Sequence, residues 1–221
     1  LADRAGLIAA AIAAVYPNLW LNDSVVMSEA LAILLTAAGL LVAVRNHHRL
    51  STRAAIGVGV LGGLACLARS ELALLVAGWA LVAVIAARRR GSSLRPALLL
   101  VVAGVLTVAP WTLYNLGRFA EPVLLTTNDG NTLLGANCPI AYYDDVGGWD
   151  IRCLGDLDPL DEHGAAIDAS QRSVVRREQA VEYVGDHLSR LPVVIAARLG
   201  RIVDVYGLES QVRMDVGENK D

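Results

Sequence analysis

The stretch Arg53-AAIGVGVLGGLACLA-Arg69-Ser70-Glu71-LALLVAGWALVAVIAA-Arg88-Arg89-Arg90 decides what kind of protein this is. A helix crosses the hydrocarbon core of a bilayer with about 20 apolar residues. Residues 54–87 are too many for one crossing and somewhat few for two. The charged Arg69-Ser70-Glu71 falls in the middle, so we read two short helices meeting in a tight turn. Arginines close both far ends.

The same alternation extends outward. Crossings are expected over 5–21, 25–44, 54–68, 72–87 and 94–116, with Pro17 closing or kinking the first because proline cannot donate the backbone hydrogen bond. Alternate breaks are basic: Arg45-Asn46-His47-His48-Arg49 with Arg53, and 88–90 with Arg95. The others hold Asn22, Asp23, Glu29, Arg69 and Glu71. Lys and Arg in short loops mark the cytoplasmic side. With Arg4 inside, five crossings carry Arg118 and everything after it across the bilayer. The expected fold is an all-α polytopic membrane protein with an irregular extracytoplasmic loop region and an amphipathic helix.

Composition agrees. Hydrophobic residues make up 55% of the 221, and the mean hydropathy of +0.48 exceeds that of ordinary soluble domains. The net charge of −3 is unevenly spread, because only Asp3, Asp23, Glu29 and Glu71 of the 22 acidic residues precede Arg118. Neither half offers a basic surface for nucleic acid. The chain begins at Leu1 with no charged leader, and the expectation is an internal piece of a longer protein. Arg supplies every basic residue but Lys220, and Ala, Val and Gly abound, as in chains from GC-rich bacterial genomes.

Three organisational regions are expected: a transmembrane helical region over 1–117, an external loop segment over 118–170, and amphipathic or interfacial helices and a tail over 171–221. In the second, Asp129-Gly130 favours positive φ and a tight turn, and a short hairpin is compatible with the spacing. Cys138 and Cys153 fall in this oxidising compartment and suit a disulfide, whereas Cys66 suits burial in an apolar span. From 173 to 191, Val174, Val181, Val184, Leu188 and Leu191 recur at helical spacing, an amphipathic pattern. Residues 193–206 contain Arg198, Arg201 and Asp204, which fits an interfacial or protein-packed helix better than a spanning one.

Several patterns have plain explanations. Gly57, Gly59 and Gly62 form G-x-G-x-x-G inside an apolar span, where small residues serve close helix packing and no strand-turn-helix exists to bind a dinucleotide. Asn22-Asp23-Ser24 matches a glycosylation acceptor but hugs the membrane. His47 and His48 lie in a basic loop, and His163 and His187 lack partners at ligand spacing. Glu29 is more informative. A carboxylate opening an apolar helix gains from the helix dipole, yet charges at membrane depth are costly and seldom face lipid. With Asp23, Arg69 and Glu71 on the same side, a polar cluster is expected at the outer mouth, with Tyr16 and Trp20 as interfacial aromatics.

Pro17…Asn22-Asp23…Ser28-Glu29 and Gly62-Gly63-Leu64-Ala65-Cys66-Leu67-Ala68-Arg69-Ser70-Glu71 resemble motifs of bacterial GT-C membrane glycosyltransferases. The group in question is protein-mannosyltransferase-like, similar to glycosyltransferase family 39. Pro110-Trp111-Thr112-Leu113-Tyr114-Asn115, the run from Thr127-Asn128-Asp129-Gly130-Asn131 to Cys138, Tyr142-Tyr143…Gly148-Trp149…Cys153 and His187…Pro192…Arg198…Arg201 follow in the family's order. The resemblance covers nearly the whole chain. It implies a transferase, resident in the plasma membrane, that moves a sugar from a polyprenyl-phosphate carrier to an acceptor protein, lipid or glycan outside the cytoplasm.

Two departures accompany it. The family's usual catalytic Asp lies in a first external loop upstream of these residues, and the Arg often found before the Asn of the Pro-Trp motif is Tyr114. Asp23 and Glu29 are therefore assigned supporting catalytic roles, with the main base expected upstream. Arg69, Glu71, Asn115, Asn128, Asp129, Asn131, Arg198 and Arg201 are substrate-binding candidates. Arg69, Arg198 and Arg201 suit a lipid phosphate, since guanidinium forks match its oxygens and the latter two share a helix face. Their plainer roles are contact with lipid headgroups or pairing with Asp204, and turn formation for Asn128, Asp129 and Asn131. The residues identify no cofactor with certainty, and a divalent metal is admissible beside the carboxylates. The rivals are a transporter, whose polar groups usually sit near mid-membrane in repeated halves, and a non-catalytic subunit of an envelope-assembly complex. No internal repeat is visible, and the charges lie at span ends.

Overall fold

A computed structural model describes residues 2–15, 28–46, 50–155, 167–203 and 205–210, in which every regular element is helical. Two compact units result, Leu1–Tyr114 and Asn115–Asp221. The first contains α1 (Ala2–Val15), α2 (Ser28–Arg45), α3 (Thr52–Ala68) and α4 (Ala73–Arg89). It also holds most of α5 (Arg95–Arg118).

The break read at Arg69 is real. Arg69 adopts an extended conformation (φ −145°, ψ 119°) that ends α3, and a single 3₁₀ turn, Ser70–Leu72, leads into α4. Ser51 caps the other end of α3 by accepting from the Ala54 N–H at 3.2 Å. Among the described residues, three segments are long and apolar enough to cross a membrane: Ser28–Arg45, Ser70–Arg89 and Arg95–Arg118. Of the other two expected crossings, 54–68 is covered by the 17-residue α3, and 5–21 runs from α1 into residues outside the described ones. Leu34, Leu74, Val82, Leu98 and Leu106 are all exposed, a surface that suits lipid and would be a liability in water.

α3 is the best-buried helix of the unit because it is built from small residues. Gly59 and Gly63 face α5, where an added Cβ would meet the backbone oxygens of Leu100 and Gly104, and Gly62 faces Val76 and Trp79 of α4. Ala55, Val58 and Leu100 form the centre, with Val42, Ala43, Leu50, Val76, Trp79 and Ala80 around them. Gly59 and Gly62 of the glycine pattern thus serve helix packing, whereas a Cβ at Gly57 would meet nothing within 4 Å.

The second unit departs from the expected irregular loop. Asp129–Ala136 forms a helix, α6, and Gly130 lies within it; the positive-φ glycines of this region are Gly147 and Gly155. The tight turn expected at Asp129-Gly130, and the hairpin, are corrected accordingly. A π-turn, Ile140–Asp144, and a 3₁₀ turn, Ile151–Leu154, follow. Then come α7 (Ala169–Asp186) and α8 (Leu191–Ile202). A core of Cys138, Ala141, Tyr142 and Val194 gathers Ile140, Val146, Cys153, Tyr183 and Leu191. Cys138 and Cys153 are joined by a disulfide with Cα atoms 6.0 Å apart, and Cys66 is buried and free.

α7 begins before the expected Ser173 because Asp168 and Gln171 form a capping box. Its buried side also differs from the apolar pattern. Ser170, Ser173 and Ala180 are buried, whereas Val181 and Leu188 are more than 60% exposed. The Asp168 carboxylate is held down to about 2, chiefly by the Ser170 hydroxyl and then by the N–H groups of Ala120 and Gln171. A depressed carboxylate stabilises the fold above its ordinary value of 3.8, and that contribution fades as pH falls from there to about 2. Asp168→Ala should cost about 1 kcal/mol at neutral pH, a typical loss for a helix cap. The difference from the parent should shrink below pH 3 in thermal melts.

Candidate functional site

In the first unit, three of the expected polar residues meet where the apolar helices end. Glu29 lies in the first turn of α2, Arg69 in the extended link after α3, and Glu71 in the following 3₁₀ turn. Arg69 Nε donates to Glu71 Oε1 at 2.5 Å, and Arg69 Nη1 donates to Glu29 Oε1. One guanidinium therefore holds two carboxylates, 40 positions apart in one case. The side chains of Glu29, Arg69 and Glu71 are 30%, 39% and 55% exposed. Ion pairs this open contribute roughly 0–1 kcal/mol to stability. Their chemistry is accordingly the more telling property: fixed carboxylate oxygens that can accept a hydroxyl proton, orient a sugar or attract a cation. Asp23, the fourth expected member, lies outside the described residues, as do Tyr16, Trp20, His47, His48, His163 and Asp204.

Asn115, near the end of α5, is buried at 1% exposure. Its Nδ2 reaches Leu125 O at 3.5 Å, and its Oδ1 has no partner among the described residues.

Arg198 and Arg201, the other candidates for a lipid phosphate, both bond groups within the second unit. Arg198 Nη2 donates to Ala136 O at 2.5 Å and to Asn137 Oδ1 at 3.4 Å, which satisfies a carbonyl left without a partner at the C-terminus of α6. Arg201 pairs with Asp145 and donates to Val146 O at 3.2 Å and Ser210 Oγ at 2.9 Å. The Arg201 side chain is only 11% exposed. Arg198 thus bonds the last carbonyl of α6, and Arg201 bonds the Val146 carbonyl in the irregular chain beyond it. No spacing rule reveals such acceptors.

The Asn128-Asp129-Gly130-Asn131 run joins α6 to α7. Asp129 accepts from Ser173 Oγ at 2.5 Å and lies 3.5 Å from Arg177, while the Gly130 N–H donates to Ser173 Oγ at 3.0 Å. Asn131 Nδ2 donates to Asn128 Oδ1 at 3.0 Å, and Asn131 Oδ1 accepts from Arg176 at 2.5 Å. Beside these amides opens a polar cleft of about 310 Å³, lined by Thr127, Asn128, Asn131, Ala169, Arg172 and Arg176. Sequence reasoning missed the two arginines. Their four-residue spacing on α7 was the legible signal, since residues four apart share a helix face. Among the described residues no three His, Cys, Asp or Glu side chains gather as a metal ion would require.

No family model, curated protein or solved structure matches the chain.

Proposed function

We propose that this chain is part of an integral membrane glycosyltransferase that moves a sugar from a polyprenyl-phosphate donor to an acceptor on the extracytoplasmic side. The observation that carries the reading is the Glu29–Arg69–Glu71 cluster at the ends of apolar helices. A lipid-borne donor presents its phosphate and sugar near the membrane surface. A carboxylate pair fixed by one guanidinium at such a level can position the acceptor hydroxyl and share in removing its proton. Arg69 acts here as a positioning residue, holding both carboxylates in place. The order of motifs along the chain supports the family, and the Cys138–Cys153 disulfide supports an extracytoplasmic place for the second unit.

Charges at helix ends favour this reading over a transporter, whose polar groups would line the middle of the membrane. The test uses the full-length protein in proteoliposomes supplied with a labelled polyprenyl-phosphate hexose and candidate acceptors. Arg69→Ala and Glu29→Gln should each lower transfer by about tenfold or more, the scale of a misplaced reacting group. Membrane insertion and melting temperature should be unchanged. Movement of the labelled lipid between leaflets with no glycosyl product would overturn the proposal and establish transport.

A further inference from the structure

We propose that the outward face of α8 lies in the lipid–water interface of a bilayer. This placement rests on the membrane reading of the chain and is independent of sugar transfer. Along α8, positions 192, 195, 196, 199 and 202 recur at three- and four-residue spacings and share one side of the helix. They are Pro192, Ile195, Ala196, Leu199 and Ile202, all apolar and all exposed. Leu199 and Ile202 are 60% and 76% exposed. Val194 and Ala197, on the other side, are buried.

The arrangement is the reverse of a helix that faces water, which turns its charges outward and its apolar stripe inward. Here both charged side chains are turned in. Arg198 donates to Ala136 O and Asn137 Oδ1, and Arg201 pairs with Asp145 and donates to Val146 O. α8 contains no carboxylate. The apolar surface continues past the helix end through Val203 and Val205, both exposed. The Val205 N–H donates to Gly200 O at 2.9 Å, which ties that continuation back to the helix.

Three features select lipid over a protein partner. Arg95–Arg118 is long and apolar enough to cross a membrane, and the second unit follows it in the chain, so such a crossing tethers the unit at a bilayer surface. The outward side chains of the helix are all aliphatic, whereas the centres of protein interfaces are enriched in aromatic residues, Met and Arg. Fluid acyl chains ask only for apolar area. Finally, the 12 residues of α8 make a helix about 18 Å long, too short for a hydrocarbon core of roughly 30 Å, so it lies along the surface. Tyr206 is exposed at the end of the strip, its ring 5.8 Å from the Arg201 guanidinium, and tyrosine is enriched at headgroup level.

The test uses the full-length protein in vesicles of phosphatidylethanolamine and phosphatidylglycerol, with neither donor nor acceptor present. Leu199→Cys carries a nitrobenzoxadiazole label in a Cys66→Ala background, and Cys138 and Cys153 stay in their disulfide. The label should be quenched by lipids spin-labelled along the acyl chain and shielded from aqueous iodide. Its depth should be about 5–10 Å into the headgroup and acyl boundary, as for an interfacial helix. Quenching by iodide alone would place α8 in water, and quenching by neither reagent would place it beneath protein; both results overturn the proposal. Ile195→Glu with Ile202→Glu adds two charges to the same face at exposed positions. That variant should lose acyl-chain quenching at residue 199 and gain iodide quenching at an unchanged melting temperature. Unaltered quenching would show that this face does not hold the helix at the bilayer. A label at exposed Val82 of α4 is the reference for lipid. If it is quenched from the acyl chains while residue 199 is quenched by iodide alone, the membrane reading stands and this placement fails.

Discussion

Gly130→Val is expected to destabilise the second unit by about 3 kcal/mol, near the upper end for forcing bulk into a packed contact. α6 approaches α7 so closely that a Cβ on Gly130 would meet the carbonyl oxygen, carbonyl carbon and Cα of Ser173. These are backbone atoms of a helix and cannot swing aside as a side-chain tip would. Relief requires the two helices to separate, which also breaks the bonds from the Gly130 N–H to Ser173 Oγ and from Ser173 Oγ to Asp129. Ser173→Ala removes those two bonds without adding bulk and should cost less, about 1–2 kcal/mol. Hydrogen exchange over 129–136 reports the effect directly, since the amides of α6 should lose protection in the valine variant. Protection equal to that of the parent would mean the helices do not touch at this point.

Loss of the Cys138–Cys153 bond is the other large effect. The cysteines are 15 positions apart, and closing a loop of that size stabilises a fold by about 3 kcal/mol through the restricted unfolded chain. Cys138 is buried beside Tyr142 and Val194, so alanine is the better replacement at both positions, avoiding a serine hydroxyl in an apolar setting. Cys138→Ala with Cys153→Ala should unfold the second unit at markedly lower denaturant. A reductant should shift the parent by a similar amount and leave the double variant unmoved. A parent indifferent to reductant would show that the bond does not hold this unit together.

What the sequence disclosed and what it withheld divide along a physical line. The chain reversal at Arg69 was legible because three polar residues interrupt an apolar run, a purely local contrast. The same contrast put Glu29, Arg69 and Glu71 at the ends of apolar runs, where Arg69 meets both carboxylates. α6 was hidden because Asp129-Gly130 is a strong turn signal by itself. It is helical here through its engagement with Ser173, more than 40 positions away. The start of α7 was written in Asp168 and Gln171, but hydrophobic periodicity cannot register a cap. Arg198 and Arg201 show the limit most clearly: their spacing told which face they share, and nothing local told that Ala136 O and Asp145 lie opposite.

The bond between Cys138 and Cys153 also sets an order of events in biosynthesis. Thiols stay reduced in the cytosol, so a newly made chain gains this tie only on meeting an oxidising compartment. Its last increment of stability arrives at that moment. A copy kept under reducing conditions stays softer and spends more time open, which is the condition under which proteases act.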